Sequence, residues 1–149
     1  MRAVVQRVIS ARVAVDSRRV AAIEHGLLVL VGIARDDDAV ASAYLANKIV
    51  GLRVFDDAGR RFTRSVREVE GAVLLVSQFT LYGDCRRGRR PSFDRAAPPA
   101  EARAVYEALA GALRAHGVPV ETGEFQAHMT VESVNDGPVT ILLDSGKVF

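Results

Sequence analysis

The chain has 149 residues, a hydrophobic share of 49% and a formal net charge of +2. A chain of this length can bury about 68–70% of its unfolded surface, so one compact domain over residues 1–149 is expected, and mixed charges on an apolar background exclude a disordered protein. One cysteine, Cys85, excludes an internal disulfide, and His25, His116 and His128 lack metal-ligand spacing, so no structural metal is expected.

Alternating apolar residues predict strands over Ala3–Val8 and Ala11–Val15, joined by a tight turn at Ser10. A third strand is expected at Val20–Ile23, and the unbroken apolar run Leu27–Ile33 reads as a central strand buried on both faces. Asp36, Asp37 and Asp38 offer an N-cap and a favourable charge at the start of a helix. Ala41, Leu45, Ile49 and Leu52 recur behind them at helical spacing, which carries that helix to about Val50. Leu52–Phe55 reads as a short strand, Asp56–Gly59 as a turn and Ala72–Val76 as a buried strand.

Gly83–Pro99 is a long connection, and connections beyond about 12–15 residues are usually functional or mobile. After Pro98 and Pro99 the stripe Ala102, Val105, Tyr106, Leu109, Ala112 and Leu113 marks a second helix, ended by Gly117 and Pro119. Met129–Val134 and Val139–Leu143 read as strands flanking a turn at Asn135–Pro138. Two helices cannot cover both faces of so many strands. The expected architecture is therefore α/β, with mixed sheets in a three-layer β/β/α arrangement that leaves some sheet uncovered and invites a dimer. No apolar run approaches a membrane span and no leader is evident, so the cytoplasm is the expected compartment.

Two segments place polar groups at strand ends: Ser77-Gln78-Phe79-Thr80-Leu81 and Asn135-Asp136-Gly137-Pro138-Val139-Thr140. Ser77 and Gln78 can donate hydrogen bonds, and strand-end backbone N–H groups can form an oxyanion hole; equally, Ser and Thr can simply end a strand. Thr80 has no neighbouring base to activate it as a nucleophile. Gly137-Pro138 fits an ordinary turn with a trans bond, or, if cis, a backbone recognition element that a ligand can approach closely. His128 reads either as a general base or as a partly exposed strand residue, and Cys85 as an incidental thiol. Arg86, Arg87, Arg89 and Arg90 form one basic cluster and Arg60, Arg61, Arg64 and Arg67 a second. Guanidinium forks match phosphate, although the near absence of lysine can also reflect composition.

Together these segments resemble the D-aminoacyl-tRNA deacylases. The resemblance spans the chain through Val5-Gln6-Arg7-Val8, Gly26–Gly32, Asp36–Asp38, Leu52–Phe55, Ser77–Leu81, Arg90-Pro91-Ser92-Phe93 and Asn135–Thr140. It implies hydrolysis of the ester of D-aminoacyl-tRNA, and of glycyl-tRNA including glycine mischarged on tRNA-Ala. It also implies rejection of the L form by a Gly-cisPro backbone motif. The implied enzyme is a cofactor-free homodimer with sites at the subunit interface and no membrane association. Ser77, Gln78, Phe79 and Thr80 would then line the catalytic pocket; Thr80 has been regarded in this family as a nucleophile, but with no base beside it in this sequence it is expected to position. Gly137 and Pro138, with Arg7, Met129, Val139 and Thr140 around them, would bind the substrate and select chirality. Arg86, Arg87, Arg89 and Arg90 would meet the tRNA acceptor end. The chain departs from the usual family pattern at His128, where Asp or Met is familiar, and at Phe62-Thr63, where Met-Asn is usual. The rival expectations are a non-catalytic module that binds the tRNA acceptor end and a different ester or amide hydrolase with Thr80 as nucleophile.

Overall fold

A computed structural model describes residues 1–148. Eight strands and two helices follow in the order β1 Arg2–Val15, β2 Arg18–Ile23, β3 Gly26–Gly32, α1 Ala39–Gly51, β4 Phe55–Asp57, β5 Arg60–Arg64, β6 Ala72–Ser77, α2 Pro99–Ala115, β7 Val120–Thr122 and β8 Thr130–Asp144. A single 3-10 turn, Phe79–Tyr82, follows β6.

The main sheet is mixed. β3 runs antiparallel to β1 and parallel to β6, which in turn pairs parallel with β7. As the unbroken apolar run requires, Leu27, Leu28, Val29 and Val31 of β3 are buried. β1 has three partners: its first half pairs with β3, its second half with β2, and β8 runs along its other edge throughout. The β1–β8 pair therefore passes from one layer into the next. One hydrophobic cluster, with Val8, Val13, Ile23, Leu28, Leu74 and Val76, fills the space between the sheet layers. A larger one, with Val5, Val29, Leu45, Ile49, Leu75 and Leu109, lies between the central strands and the helices. This is the expected β/β/α layering.

Local chemistry sets the helices. Asp38 caps α1 by accepting from Val40 N and Ala41 N, both at 2.9 Å. α2 starts with proline in its first turn, where a missing N–H costs nothing, and its Tyr106 hydroxyl donates to Leu75 O at 2.8 Å. No helix among the described residues is long and apolar enough to cross a membrane.

Three local expectations need correction. Ser10 is not a turn: β1 runs unbroken from Arg2 to Val15, and its register against β8 shifts between Gln6 and Ser10, so a bulge absorbs the break in alternation. Leu52–Val54 is irregular and the strand begins only at Phe55, paired with a β5 that its arginines conceal. Asn135–Pro138 does not reverse the chain. The segments before and after it both pair with β1 and form a single β8, because Val8 sits opposite Asn135 and Gln6 opposite Thr140. Asp136 to Val139 are thus an excursion facing Arg7 alone.

Candidate active site

A cavity of about 640 Å³ opens at the carboxyl ends of the parallel strands β3 and β6, the usual place for a ligand in such sheets. Val31, Ile33 and Val76 form an apolar floor, and Ser77, Gln78 and Phe79 lead out of β6 along one wall. Phe93 comes from the long connection, Ala102 from the start of α2, and Phe125 through Met129 from the segment before β8. Phe79 and Phe93 meet edge to face at 5.0 Å between ring centroids. Arg103 covers Phe125 with its guanidinium 4.8 Å from the ring centre. Among the lining residues His128 alone is titratable, so no carboxylate faces the cavity.

Of the 3-10 turn, Phe79 is the one residue on the cavity wall. Gln78 N is used by Val31 O at 2.7 Å, whereas Gln78 supplies no side-chain cap, and the first N–H groups of such a turn, those of Phe79 and Thr80, have no acceptor within it. The Thr80 hydroxyl is hydrogen-bonded to the Gln78 side-chain amide and does not line the cavity. Tyr82 anchors the turn. Its buried ring lies under the Arg2 guanidinium at 4.7 Å, Arg2 donates to Leu81 O at 3.1 Å, and burial pushes the Tyr82 hydroxyl pKa well up.

The second segment lies elsewhere. Gly137 and Pro138 are exposed and joined by a cis peptide bond, and neither lines the cavity of its own chain. The excursion is clamped from two sides. Asn135 Oδ1 accepts from Val139 N at 2.8 Å, and buried Arg7 donates from Nε to Asp136 O at 2.9 Å and from Nη1 to Val54 O at 2.6 Å. Gly137 has φ 141°, and a Cβ there would lie 2.8 Å from Val139 Cγ2. Val139 is buried in the helix-side cluster, while Thr140 Oγ1 accepts from Gln6 Nε2 at 3.2 Å.

Of the predicted site residues, Ser77, Gln78, Phe79 and Met129 thus share one cavity. Arg7, Gly137, Pro138, Val139 and Thr140 form a separate group, clamped together by the bonds above. Sequence reasoning missed Phe125 and Gln126, which lie in an irregular segment without periodicity; Phe93 belonged to a quoted motif but was given no role. The arginine loop is closed by reciprocal backbone bonds between Asp84 and Ser92 at 2.8 and 3.0 Å. Within it Arg86 is paired to Asp84, whose carboxyl it holds well below the usual carboxylate range, chiefly through the side-chain hydrogen bond. Among the described residues Arg87, Arg89 and Arg90 are exposed without a carboxylate partner.

The family model described as D-Tyr-tRNA(Tyr) deacylase matches residues 4–144, and the chain belongs to that family. It is 57% identical to a D-aminoacyl-tRNA deacylase of Thermotoga petrophila over the whole of both chains. It is 59% identical to one of Symbiobacterium thermophilum over 100% of this chain and 99% of the relative. Among solved structures, a c-Myc DNA unwinding element binding protein superposes with a TM-score of 0.92 at 39% identity, over 97% of this chain and 98% of that one.

Proposed function

We propose that this chain, an enzyme of the D-aminoacyl-tRNA deacylase class, hydrolyses the ester between a D-amino acid and the 3′ end of tRNA, and clears glycyl-tRNA by the same route. Full-length relatedness to deacylases supports the reaction class. The observation that carries the mechanism is the separation of the two site segments. Gly137-Pro138 is exposed, fixed by Arg7 and Asn135, and outside its own cavity, so a second copy of the chain is needed to bring this step to the cavity wall of Ser77, Gln78 and Phe79. Exposed apolar side chains on the same pair of strands, Ile9, Val131, Val134 and Leu142, fit a two-fold homodimer in which each copy completes the other.

In that assembly the backbone carbonyls of Gly137 and Pro138 accept hydrogen bonds from the substrate α-ammonium and leave it one orientation. The D side chain then points to open space, an L side chain meets the wall, and glycine passes. Attack by water builds negative charge on the ester carbonyl oxygen, and the N–H groups of Phe79 and Thr80 stabilise it; one such donor contributes about 2.7–4 kcal/mol. The cavity offers no carboxylate base. The ester is already activated by its vicinal ribose hydroxyl, so positioning and oxyanion stabilisation carry the rate, and Thr80 orients Gln78 without forming a covalent bond. The loop with Arg87, Arg89 and Arg90 meets acceptor-end phosphates, as expected of a cytoplasmic enzyme acting on tRNA.

The test is incubation of the purified protein with D-tyrosyl-tRNA, L-tyrosyl-tRNA and glycyl-tRNA. Release from the D and glycyl forms with survival of the L form is expected. Binding of all three without release would refute the hydrolytic reading and leave an acceptor-end binding module. Sedimentation showing an active monomer would refute the shared site.

A further inference from the structure

The β4–β5 ribbon stands apart from the main sheet as its own two-stranded unit. Arg60 and Arg61 are exposed on it, and with Arg67 they have no carboxylate within 4.0 Å among the described residues. Asp57, opposite Arg60 in the ribbon, is exposed and forms no ion pair within 4.0 Å among the described residues, and the acids beside it are engaged. Asp56 lies 3.6 Å from Arg7 and accepts from Phe62 N at 3.0 Å. The Glu68 carboxylate accepts from Ser65 N at 2.7 Å and Ser65 Oγ at 2.6 Å, and Arg53 and Arg64 face it. Beside the free arginines Phe62 is 52% exposed, an aromatic ring in water where a core residue would be hidden. Unpaired guanidinium groups next to an exposed ring are the two components of a single-stranded nucleic-acid platform, charge for the backbone and a flat face for a base.

The ribbon is also tied to the Gly137-Pro138 step. Arg7 donates both to Val54 O, the residue before β4, and to Asp136 O, the residue before Gly137. One buried side chain therefore joins the root of the ribbon to the step that, in the proposed mechanism, meets the aminoacyl group.

We propose that the β4–β5 ribbon is a second RNA contact surface, in which Arg60 and Arg61 hold phosphates and Phe62 stacks on a base of the single-stranded 3′ end that carries the ester. The inference rests on the proposed tRNA substrate, but its test does not use the hydrolytic reaction. The full-length protein is titrated with two uncharged RNA hairpins, one with a short single-stranded 3′ extension and one blunt, over a range of salt concentrations. Wild type binds the extended hairpin more tightly.

The double variant Arg60→Ala with Arg61→Ala weakens that binding about tenfold and lowers the slope of log affinity against log salt by about 1.4, since each single-strand phosphate contributes about 0.7. Phe62→Ala weakens it about 5- to 150-fold with the slope unchanged. Lysines at 60 and 61 restore the slope. Circular dichroism verifies the fold of each variant, and all three positions are exposed enough to change without unfolding the protein. Equal affinity of wild type for the two hairpins, unchanged binding in the variants, or equal losses on both hairpins would overturn the proposal. Failure of D-tyrosyl-tRNA hydrolysis alone would count against the activity and leave these affinities to decide the ribbon.

Discussion

Arg7→Met isolates the clamp on the Gly137-Pro138 excursion. Methionine keeps the apolar stem that packs through the sheet and removes the guanidinium. Two charge-assisted bonds disappear, to Val54 O at 2.6 Å and Asp136 O at 2.9 Å, each contributing roughly 1.5–3 kcal/mol. The ion pairs with Asp56 at 3.6 Å and Asp136 at 3.3 Å add little, because those carboxylates are 46% and 42% exposed. Water regains the partly exposed Asp136 but not the buried guanidinium site, so the expected loss is about 3 kcal/mol, a large share of a total stability of about 5–15 kcal/mol. Urea unfolding measures it as a lower midpoint with unchanged slope. At temperatures where the variant is folded, D-tyrosyl-tRNA hydrolysis should fall at least about tenfold, the equivalent of about 1.4 kcal/mol lost from orientation. Arg7→Lys, a single ammonium in place of a fork, should fall between the two. A stability change under about 1 kcal/mol, or a folded Arg7→Met enzyme of normal rate, would refute the assignment of Arg7 as the clamp.

Gly137→Ala places a Cβ 2.8 Å from Val139 Cγ2 and 2.9 Å from Val139 N at φ 141°, so a displaced excursion and a loss of about 5- to 150-fold in kcat/KM are expected, checked by steady-state hydrolysis alongside a melting curve. Thr80→Ala removes one side-chain bond to Gln78 and should keep the rate within about tenfold; mass spectrometry trapping an acyl-threonine on wild type would show the opposite. Alanines at Arg87, Arg89 and Arg90 should flatten the salt dependence of tRNA binding by about 2–3 units, with little further change from Arg86, which Asp84 already occupies. Tyr106→Phe should cost only about 0.5–1 kcal/mol in urea unfolding, because Leu75 O keeps its bond from Gly123 N at 2.9 Å after the hydroxyl is gone.

What the sequence revealed depended on whether a signal was local. β3 and α2 were legible because an unbroken apolar run and a helical stripe each report burial directly. Asp38 was legible as a cap because its carboxylate reaches donors only a few residues away. Ser10 misled because a bulge and a turn interrupt alternation alike, and only the partner strand distinguishes them. Asn135–Pro138 misled for the same reason: its residues suit a turn, yet pairing on both sides is with β1, more than a hundred residues earlier. In the site, Ser77 to Phe79 stood out because they end a buried strand. Phe125 did not, since its place in the cavity comes from the packing of an irregular segment against α2. β5 was hidden by the arginines that give the ribbon its interest.

Strand β1 belongs to both interiors: Ala3 and Val5 lie in the helix-side cluster, Val8, Ala11 and Val13 in the cluster between the sheets, and Arg7 stands at the crossover. Neither interior can melt and leave the other intact, for each would tear away half of the beam on which the other is built. The molecule is indivisible in that sense and should lose its order in one step. Because the anchor of the Gly137-Pro138 excursion sits where the two interiors meet, damage to either, however far from the cavity, reaches the step's geometry through that one side chain. The position of those two backbone carbonyls thus acts as a gauge of the integrity of the whole fold.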